Sequence, residues 1–155
     1  MTRSLPPRRS NRTAGALPPS APAARASSYR EWAADEAARV KLQMQWSAFF
    51  REWDVVICPP MPTPAFPNDQ TTPISGRHID IDGKNYSYFD QMVWPGVATT
   101  PGLPSTAAPI GLSETGLPLG VQIVGPYLED RTPLMFAGLM EREFGGFVPP
   151  PGYSV

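Results

Sequence analysis

The stretch GLPSTAAPIGLSETGLPLGVQIVG, residues 102–125, predicts the centre of the fold. It contains two short apolar runs, about Ser105 to Leu112 and about Leu119 to Val124, which are typical of β-strands. Between them, Ser113-Glu114-Thr115-Gly116 has the composition of a tight turn in which Gly116 can take a positive φ. The stretch contains the small residues Ala107, Ala108, Gly111 and Gly120, so another part of the protein is expected to pack close to this backbone.

The composition indicates one domain with many extended or turned segments. The chain has 155 residues, of which 41% are hydrophobic and 17% charged, which is enough for one modest core. It contains 21 prolines, far above the usual ~5%. Many segments are therefore expected to be extended or turned rather than helical.

The charge distribution excludes several classes of protein. Residues 1–30 carry six arginines and no acidic group, whereas the formal net charge of the whole chain is −1. A basic segment therefore precedes an acidic body, and the overall balance argues against a nucleic-acid binder. No run approaches the ~18 apolar residues that span a membrane, and no apolar stretch follows Arg8-Arg9, so no membrane partner and no export signal are expected. The single cysteine, Cys58, excludes an internal disulfide and favours a reducing, cytoplasmic location.

The amino-terminal half is predicted to begin with a tail. Residues 1–27 are rich in Pro, Arg, Ser and Ala, which predicts a disordered basic tail. It is a plain extension, a basic interaction tail or a proline-rich docking peptide. Ser28 and Glu31 form a capping box before a helix from Tyr29 to about Trp53. A buried strand over 54–58 follows, and a long extended loop, 59–73, contains six prolines. The apolar face of the helix consists of Leu42, Trp46, Phe49, Phe50 and Trp53.

The remaining elements follow from turn and capping signals. Residues 77–88 predict a hairpin whose Asp82-Gly83 pair suits a type I′ turn. Residues 89–97 predict a short helix or loop that places Met92, Val93 and Trp94 against the core. A helix over 130–144 has Thr132 as its cap, Pro133 at its first position and Gly145 at its end. A proline-rich tail, 147–155, closes the chain.

Few residues carry catalytic or metal-binding chemistry. Cys58 and His78 are the only residues of their types, so a Cys–His nucleophile pair is conceivable, but a thiol inside an apolar strand is usually an inert hydrophobe. Asp80, Asp82 and Asp90 could hold a metal with His78, yet they also form the ordinary polar face of a hairpin, which is the favoured interpretation. No glycine-rich phosphate loop and no Cys/His metal spacing is present. No cofactor or metal is therefore expected.

Several motifs resemble those of the amidase signature family. That family has the pattern G-x-P, small residues, P-x-G, then G-x-P-x-G-x-Q-x-x-G, and this chain offers Gly102-Leu103-Pro104, Pro109-Ile110-Gly111 and GLPLGVQIVG at 116–125. The run WDVVICP at 53–59 also resembles the family's strand, although Pro60 stands where a threonine is expected. The resemblance covers Tyr29 to Gly146 and corresponds to roughly the last quarter of a complete amidase.

The resemblance implies carboxamide hydrolysis by a Ser–cis-Ser–Lys triad, with a glycine- and serine-rich loop forming the oxyanion hole. Those elements lie in the family's amino-terminal part. This chain has only Lys41 and Lys84, in a helix and a hairpin turn, and its only adjacent serines are Ser27-Ser28, without neighbouring glycines. No residue matches a family catalytic position, so no catalytic residue is assigned.

The prediction is an α/β chain comprising the carboxy-terminal part of the amidase signature fold, incomplete on its own. Its sheet is expected to combine residues 55–58, the hairpin at 77–88 and the strand pair at 105–124. The domain prediction is a tail, 1–27, a partial amidase domain, 28–146, and a tail, 147–155. The abrupt change of composition at Ser28 indicates a truncated or frame-disrupted gene, or a new leader on a fragment.

Three functional hypotheses follow. The first is an amidase-family hydrolase of carbon–nitrogen bonds by descent, related to amidases or to the amidotransferase component that serves aminoacyl-tRNA. It is inactive alone and would need a complementing chain with the amino-terminal part. The second is a non-catalytic interaction module, or a homo-oligomer, that uses an exposed sheet edge or the basic tail. The third is a truncated product that does not accumulate.

Overall fold

A three-stranded antiparallel sheet, in the order β1-β5-β4, forms the centre of the molecule. The computed structural model describes residues 27–153. The strands are β1 (Val56–Cys58), β4 (Ser105–Leu112) and β5 (Pro118–Val124). A second sheet contains β2 (His78–Ile81) and β3 (Lys84–Ser87). The helices are α1 (Tyr29–Phe49), α2 (Val93–Thr99) and α3 (Arg131–Phe144), with 3₁₀ turns at Ile74–Gly76 and Tyr88–Met92.

The strand pair predicted from residues 102–125 is confirmed. β4 and β5 are joined by a tight loop over residues 113–117, in which Gly116 has a φ of 81°. The amide of Ser113 donates to the carbonyl of Leu117 across 2.7 Å, and the amide of Gly116 donates to the carbonyl of Ser113 across 2.9 Å. Only glycine adopts such a φ at little cost, so Gly116 fixes where the chain reverses.

Both faces of the central sheet carry helices. On one face, a core of Cys58, Ala98, Leu103 and Val124 packs against partly buried aromatic side chains. Those side chains come from the end of α1 and from α2: Trp46, Phe50 and Trp94. On the other face, α3 contacts β4 and β5. Ile123 and Val124 lie on opposite faces of β5 and are both fully buried, so this strand holds the two layers together.

Helix α1 begins as predicted and ends earlier than predicted. The capping box at Ser28 and Glu31 is present. The helix ends at Phe49 rather than Trp53, because the amides of Arg51 and Glu52 donate to carbonyls three residues back. Its predicted apolar face is only partly used: Trp46 and Phe50 reach the core.

Other predictions are wrong in detail. The hairpin at 77–88 forms with the predicted turn, since Asp82 and Gly83 both have positive φ, but it is a separate two-stranded sheet. Strand 54–58 is shorter, Val56–Cys58, and is not fully buried. Met92 and Val93 are exposed, and only Trp94 of that predicted trio packs on the core.

The predicted start of the third helix is also wrong. Asp130 occupies the cap position without a side-chain hydrogen bond, and Pro133 lies in the first turn rather than at its first residue. The hydroxyl of Thr132 instead donates to the carboxylate of Glu129 across 3.2 Å. Gly145 ends the helix with a φ of 86°, as predicted.

The predicted tails are mostly beyond what the structure describes. Apart from Ser27, the segment 1–27 lies outside the described residues, as do Ser154 and Val155 at the other end. Across residues 27–153, no helix combines the length and the apolar character needed to cross a bilayer.

Candidate functional site

An apolar groove runs along one end of the central sheet. Its walls are the proline-rich loop that follows β1 and the facing part of the β4–β5 pair, and it encloses about 480 Å³. The side chains that line it carry no charge: Ile57, Cys58, Met61, Thr63, Ile110, Leu119 and Val121 line it together with prolines. The groove can therefore accept an apolar group, and Thr63 supplies the only side-chain hydroxyl in its wall.

A buried glutamine on β5 connects three elements. The side-chain amide of Gln122 donates to the main-chain carbonyl of Trp94 across 3.2 Å and to the sulfur of Cys58 across 3.3 Å. Gln122 is 9% exposed, so these bonds form where a polar group must be paired. The sequence motif contained this glutamine, but its role as a link between β1, β5 and α2 depends on the tertiary structure.

A second buried glutamine lies behind the wall of the groove. Gln91 is 2% exposed, and its carbonyl oxygen accepts a hydrogen bond from the hydroxyl of Thr63 across 3.3 Å. Its Nε2 atom has no partner among the described residues. No sequence signal marks Gln91, because its neighbour Thr63 lies 28 residues away along the chain.

The loop beyond the groove is fixed by an aspartate. One carboxylate oxygen of Asp69 accepts hydrogen bonds from the amides of Thr71 and Thr72 across 2.9 and 3.0 Å, and from the Thr71 hydroxyl across 2.9 Å. Hydrogen bonds from Thr72, and then from Thr71, hold the pKa of Asp69 well below its usual range. The carboxylate therefore stays ionised and acts as a turn anchor.

The structure does not join the candidate nucleophile to the candidate base. Cys58 is buried in β1, and its sulfur contacts Gln122. His78 lies on the separate sheet, where its exposed ring Nδ1 is 2.8 Å from the carbonyl oxygen of Gly76. The Cys–His pair considered from the sequence is therefore not formed.

The acidic residues near His78 show no metal-binding cluster. Within residues 27–153 no group of three or more His, Cys, Asp or Glu side chains is arranged to hold an ion. Asp80 instead accepts a hydrogen bond from the amide of Gly83 across 3.1 Å, which stabilises the hairpin turn. The polar-face interpretation of these residues explains this contact.

The serine and lysine residues considered for a triad lie on different elements, and Ser28 is part of a helix cap. The Ser28 hydroxyl donates to the carboxylate of Glu31 across 2.9 Å and accepts from the Glu31 amide across 3.3 Å. Lys41 lies on α1 and Lys84 on β3, and both are exposed. These residues form no serine–lysine arrangement.

Known proteins share this architecture. The sequence of residues 12–134 matches the family model described as Amidase, so the match begins inside the predicted tail, and the boundary at Ser28 stays a prediction. A crystal structure of an amidase is 25% identical, with a TM-score of 0.63 over 77% of this chain and 26% of that chain. The structure of 6-aminohexanoate cyclic dimer hydrolase is 28% identical, with a TM-score of 0.55 over 76% of this chain and 25% of that chain.

A further structural match supports the fold alone. A component of the glutamyl-tRNA(Gln) amidotransferase of Thermotoga maritima is 23% identical, with a TM-score of 0.58 over 81% of this chain and 26% of that chain. No curated protein sequence matches significantly. The chain spans about a quarter of the length of the solved structures it matches. Since the family model matches well over half of its residues, the chain belongs to the amidase family.

Proposed function

We propose that this chain is the carboxy-terminal portion of a hydrolase of carboxamide bonds, inactive alone, whose Ser–cis-Ser–Lys triad is carried by a complementing chain. The observation that carries the proposal is the coverage of the amidase match: 77% of this chain but only 26% of the solved amidase. A reducing, cytoplasmic location belongs to the same proposal, because the one cysteine is a buried free thiol that takes part in no cross-link.

The described residues support a non-catalytic role for this portion. The serine of a serine–lysine triad needs its lysine partner within hydrogen-bonding distance, whereas the Ser28 hydroxyl donates to Glu31 in the capping box of α1. The Cys58 thiol is likewise buried against Gln122. What this portion supplies is a rigid sheet, linked by Gln122, and an apolar groove beside it.

The test combines an ammonia-release assay with labelling of activated serines. The purified chain is incubated with a panel of small aryl amides, and in parallel with a fluorophosphonate probe that reacts with activated serine hydroxyls. We expect neither ammonia nor a labelled serine from the chain alone. A copurified complex from the source cells should release ammonia and carry the label on the other chain.

Two variants serve as controls. Ser28→Ala removes the serine hydroxyl that faces a carboxylate in the capping box, and Cys58→Ala removes the only thiol. Neither should change the rate of the complex, because neither residue is assigned a catalytic role. Ammonia release by the chain alone that is lost in Cys58→Ala would overturn the proposal in favour of a cysteine nucleophile.

The alternative function is a non-catalytic interaction module or homo-oligomer. It is favoured by the number of large apolar side chains on the surface, among them Trp32, Met44 and Trp53 of the α1 region and Met135 and Phe144 of α3. Size-exclusion chromatography with light scattering on the assayed sample separates the two functions. A monodisperse homo-oligomer without ammonia release and without a triad-bearing partner would favour the module.

A further inference from the structure

The two outer strands of the central sheet differ in what they leave open. Directly before β4, the carbonyl of Pro104 accepts a hydrogen bond across 3.0 Å from the amide of Gly125, which follows β5, so the main chain of Pro104 faces β5. Alternate residues of an antiparallel strand point their main-chain groups to the same side. Ser105, Ala107 and Pro109 therefore face away from the sheet, and Pro109, which has no amide hydrogen, interrupts the row of outward donors just before the bulge between Pro109 and Gly111.

The alternation along β5 also determines which main-chain groups lie on the free edge of β1. Because the amide of Gly125 points to β4, so does the main chain of Ile123, and the main chains of Gln122 and Val124 point to β1, where they oppose Cys58 and Val56. Along the β1 segment, Val55 and Ile57 alternate with Val56 and Cys58, so the amides of Val55 and Ile57 point away from β5 to the free edge. Pro59 follows with no amide hydrogen. The free edge of β1 therefore offers two main-chain donors, those of Val55 and Ile57.

The two edge strands differ in whether a helix covers the sheet face beside them: α3 contacts β4 but lies away from β1. Ile57, Ile123 and Thr106 lie opposite one another and share a face, and α3 packs on this face over β4 and β5. A helix is about 10 Å wide and strands lie about 4.8 Å apart, so one helix covers about two strands. Ile123 is fully buried, whereas Ile57 is 49% exposed. The part of the face over β1 is therefore open.

The open face continues into the apolar groove. Ile57 lines that groove together with Leu119 and Val121, which lie on the same face of the sheet as Ile123. No charged side chain lines it. An occupant must therefore be apolar on the side that meets the groove and extended where it meets the strand edge.

We propose that the rest of an amidase domain docks here, pairing a strand with Val55 and Ile57 and placing apolar side chains in the groove. This chain covers 26% of the solved amidase that it matches, so the uncovered part of that amidase is about three times as long as the covered part. We take a polypeptide equivalent to this uncovered part as the occupant. This inference rests on the proposed function, and it names the surface where the complementing chain binds. The β4 edge stays free, because Pro109 and the packed α3 restrict that side.

The probe for the test is the part of the matched amidase that lies outside the quarter covered by this chain, purified as a separate fragment. Amide hydrogen exchange is measured on the full chain with and without this fragment, and ammonia release is measured in the same mixture. We expect the exchange at Val55 and Ile57 to slow by about tenfold or more, the effect of one hydrogen bond of ~1.4 kcal/mol. Exchange at Ser105 and Ala107 should not change.

A matched pair of variants locates the surface. Ile57→Lys places a charge on the open face, and Ala107→Lys places one on the other edge strand, both at exposed positions. Ile57→Lys should abolish the protection and Ala107→Lys should preserve it, with unfolding curves confirming that both variants fold.

The exchange measurement tests the docking surface, and the ammonia assay tests the proposed function. Protection at Val55 and Ile57 without ammonia release supports this docking surface and counts against the proposed catalysis. Ammonia release with protection at Ser105 and Ala107 instead overturns the docking surface and leaves the proposed function standing. Protection at neither edge, or protection that appears with rising concentration of the chain alone, overturns the inference.

Discussion

The side-chain amide of Gln122 donates a hydrogen bond to the main-chain carbonyl oxygen of Trp94 across 3.2 Å. Gln122 lies in the middle strand and Trp94 in a short helix 28 residues earlier. The same amide contacts the sulfur of Cys58 on the adjacent strand. One side chain thus ties a seven-residue helix, which could not be stable in isolation, to the sheet.

Replacing this glutamine should destabilise the chain. Gln122→Leu keeps the volume but leaves the Trp94 carbonyl without its donor, which costs about 1–3 kcal/mol of unfolding free energy. Urea unfolding followed by tryptophan fluorescence measures the loss. The control is Gln45→Leu on the exposed surface of α1, which should stay within about 0.5 kcal/mol of the parent. Equal effects of the two variants would show that the Gln122 bonds contribute nothing.

A glycine at the end of β5 sets how closely α3 can approach. A Cβ atom at Gly125 would lie 2.6 Å from the Cδ atom of Pro133. Gly125→Ala should therefore force α3 away from the sheet and cost about 1–3 kcal/mol, as overpacking does. Thermal unfolding measures the change.

The matched control for this prediction is Gly138→Ala, in the interior of α3. A Cβ atom there has no neighbour within 4 Å, and alanine favours a helix over glycine by about 1 kcal/mol. This variant should raise the unfolding temperature while Gly125→Ala lowers it. Changes of the same sign in both variants would contradict the proposed close approach.

The sequence predicted the elements whose causes are local. Gly116 and the Asp82-Gly83 pair were found because turn chemistry lies in two or three adjacent residues. The capping box at Ser28 was found for the same reason. The separation of the hairpin from the main sheet was missed, because strand pairing between distant segments leaves no local signal.

The site depends even more on non-local contacts. The Gln122–Cys58 bond joins residues 64 positions apart, and the Thr63–Gln91 bond joins residues 28 apart. The exposure of Phe49 and Trp53, at 39% and 60%, was also hidden, since a helical pattern of apolar residues predicts a buried face. The apolar pattern of a helix does not show which of its apolar side chains will pack against other elements, because that depends on which elements lie beside the helix in the folded protein.

Acid should loosen the proline-rich loop through Asp69. Its pKa is depressed in the folded chain by hydrogen bonds from Thr72 and Thr71, so its stabilising effect is full above the unfolded pKa and is lost as pH falls through the depressed folded pKa. An NMR titration of the Asp69 carboxyl should give a midpoint below the usual aspartate range. Thr71→Val, which deletes one of the donors, should move that midpoint upward. An unshifted midpoint in both proteins would contradict the role of the threonines.

Two prolines, one within β4 and one directly before it, should differ in how they control association. Pro109 faces the free edge of β4 and Pro104 faces β5, as the 3.0 Å bond from Gly125 shows. Pro109→Ala adds an outward amide and lengthens the edge that another chain can pair with, so self-association should increase. Pro104→Ala adds an amide that can bond to Gly125 within the sheet, so association should not increase. Sedimentation velocity over a range of concentrations compares the two variants, and equal association by both would contradict the assigned direction of these main-chain groups.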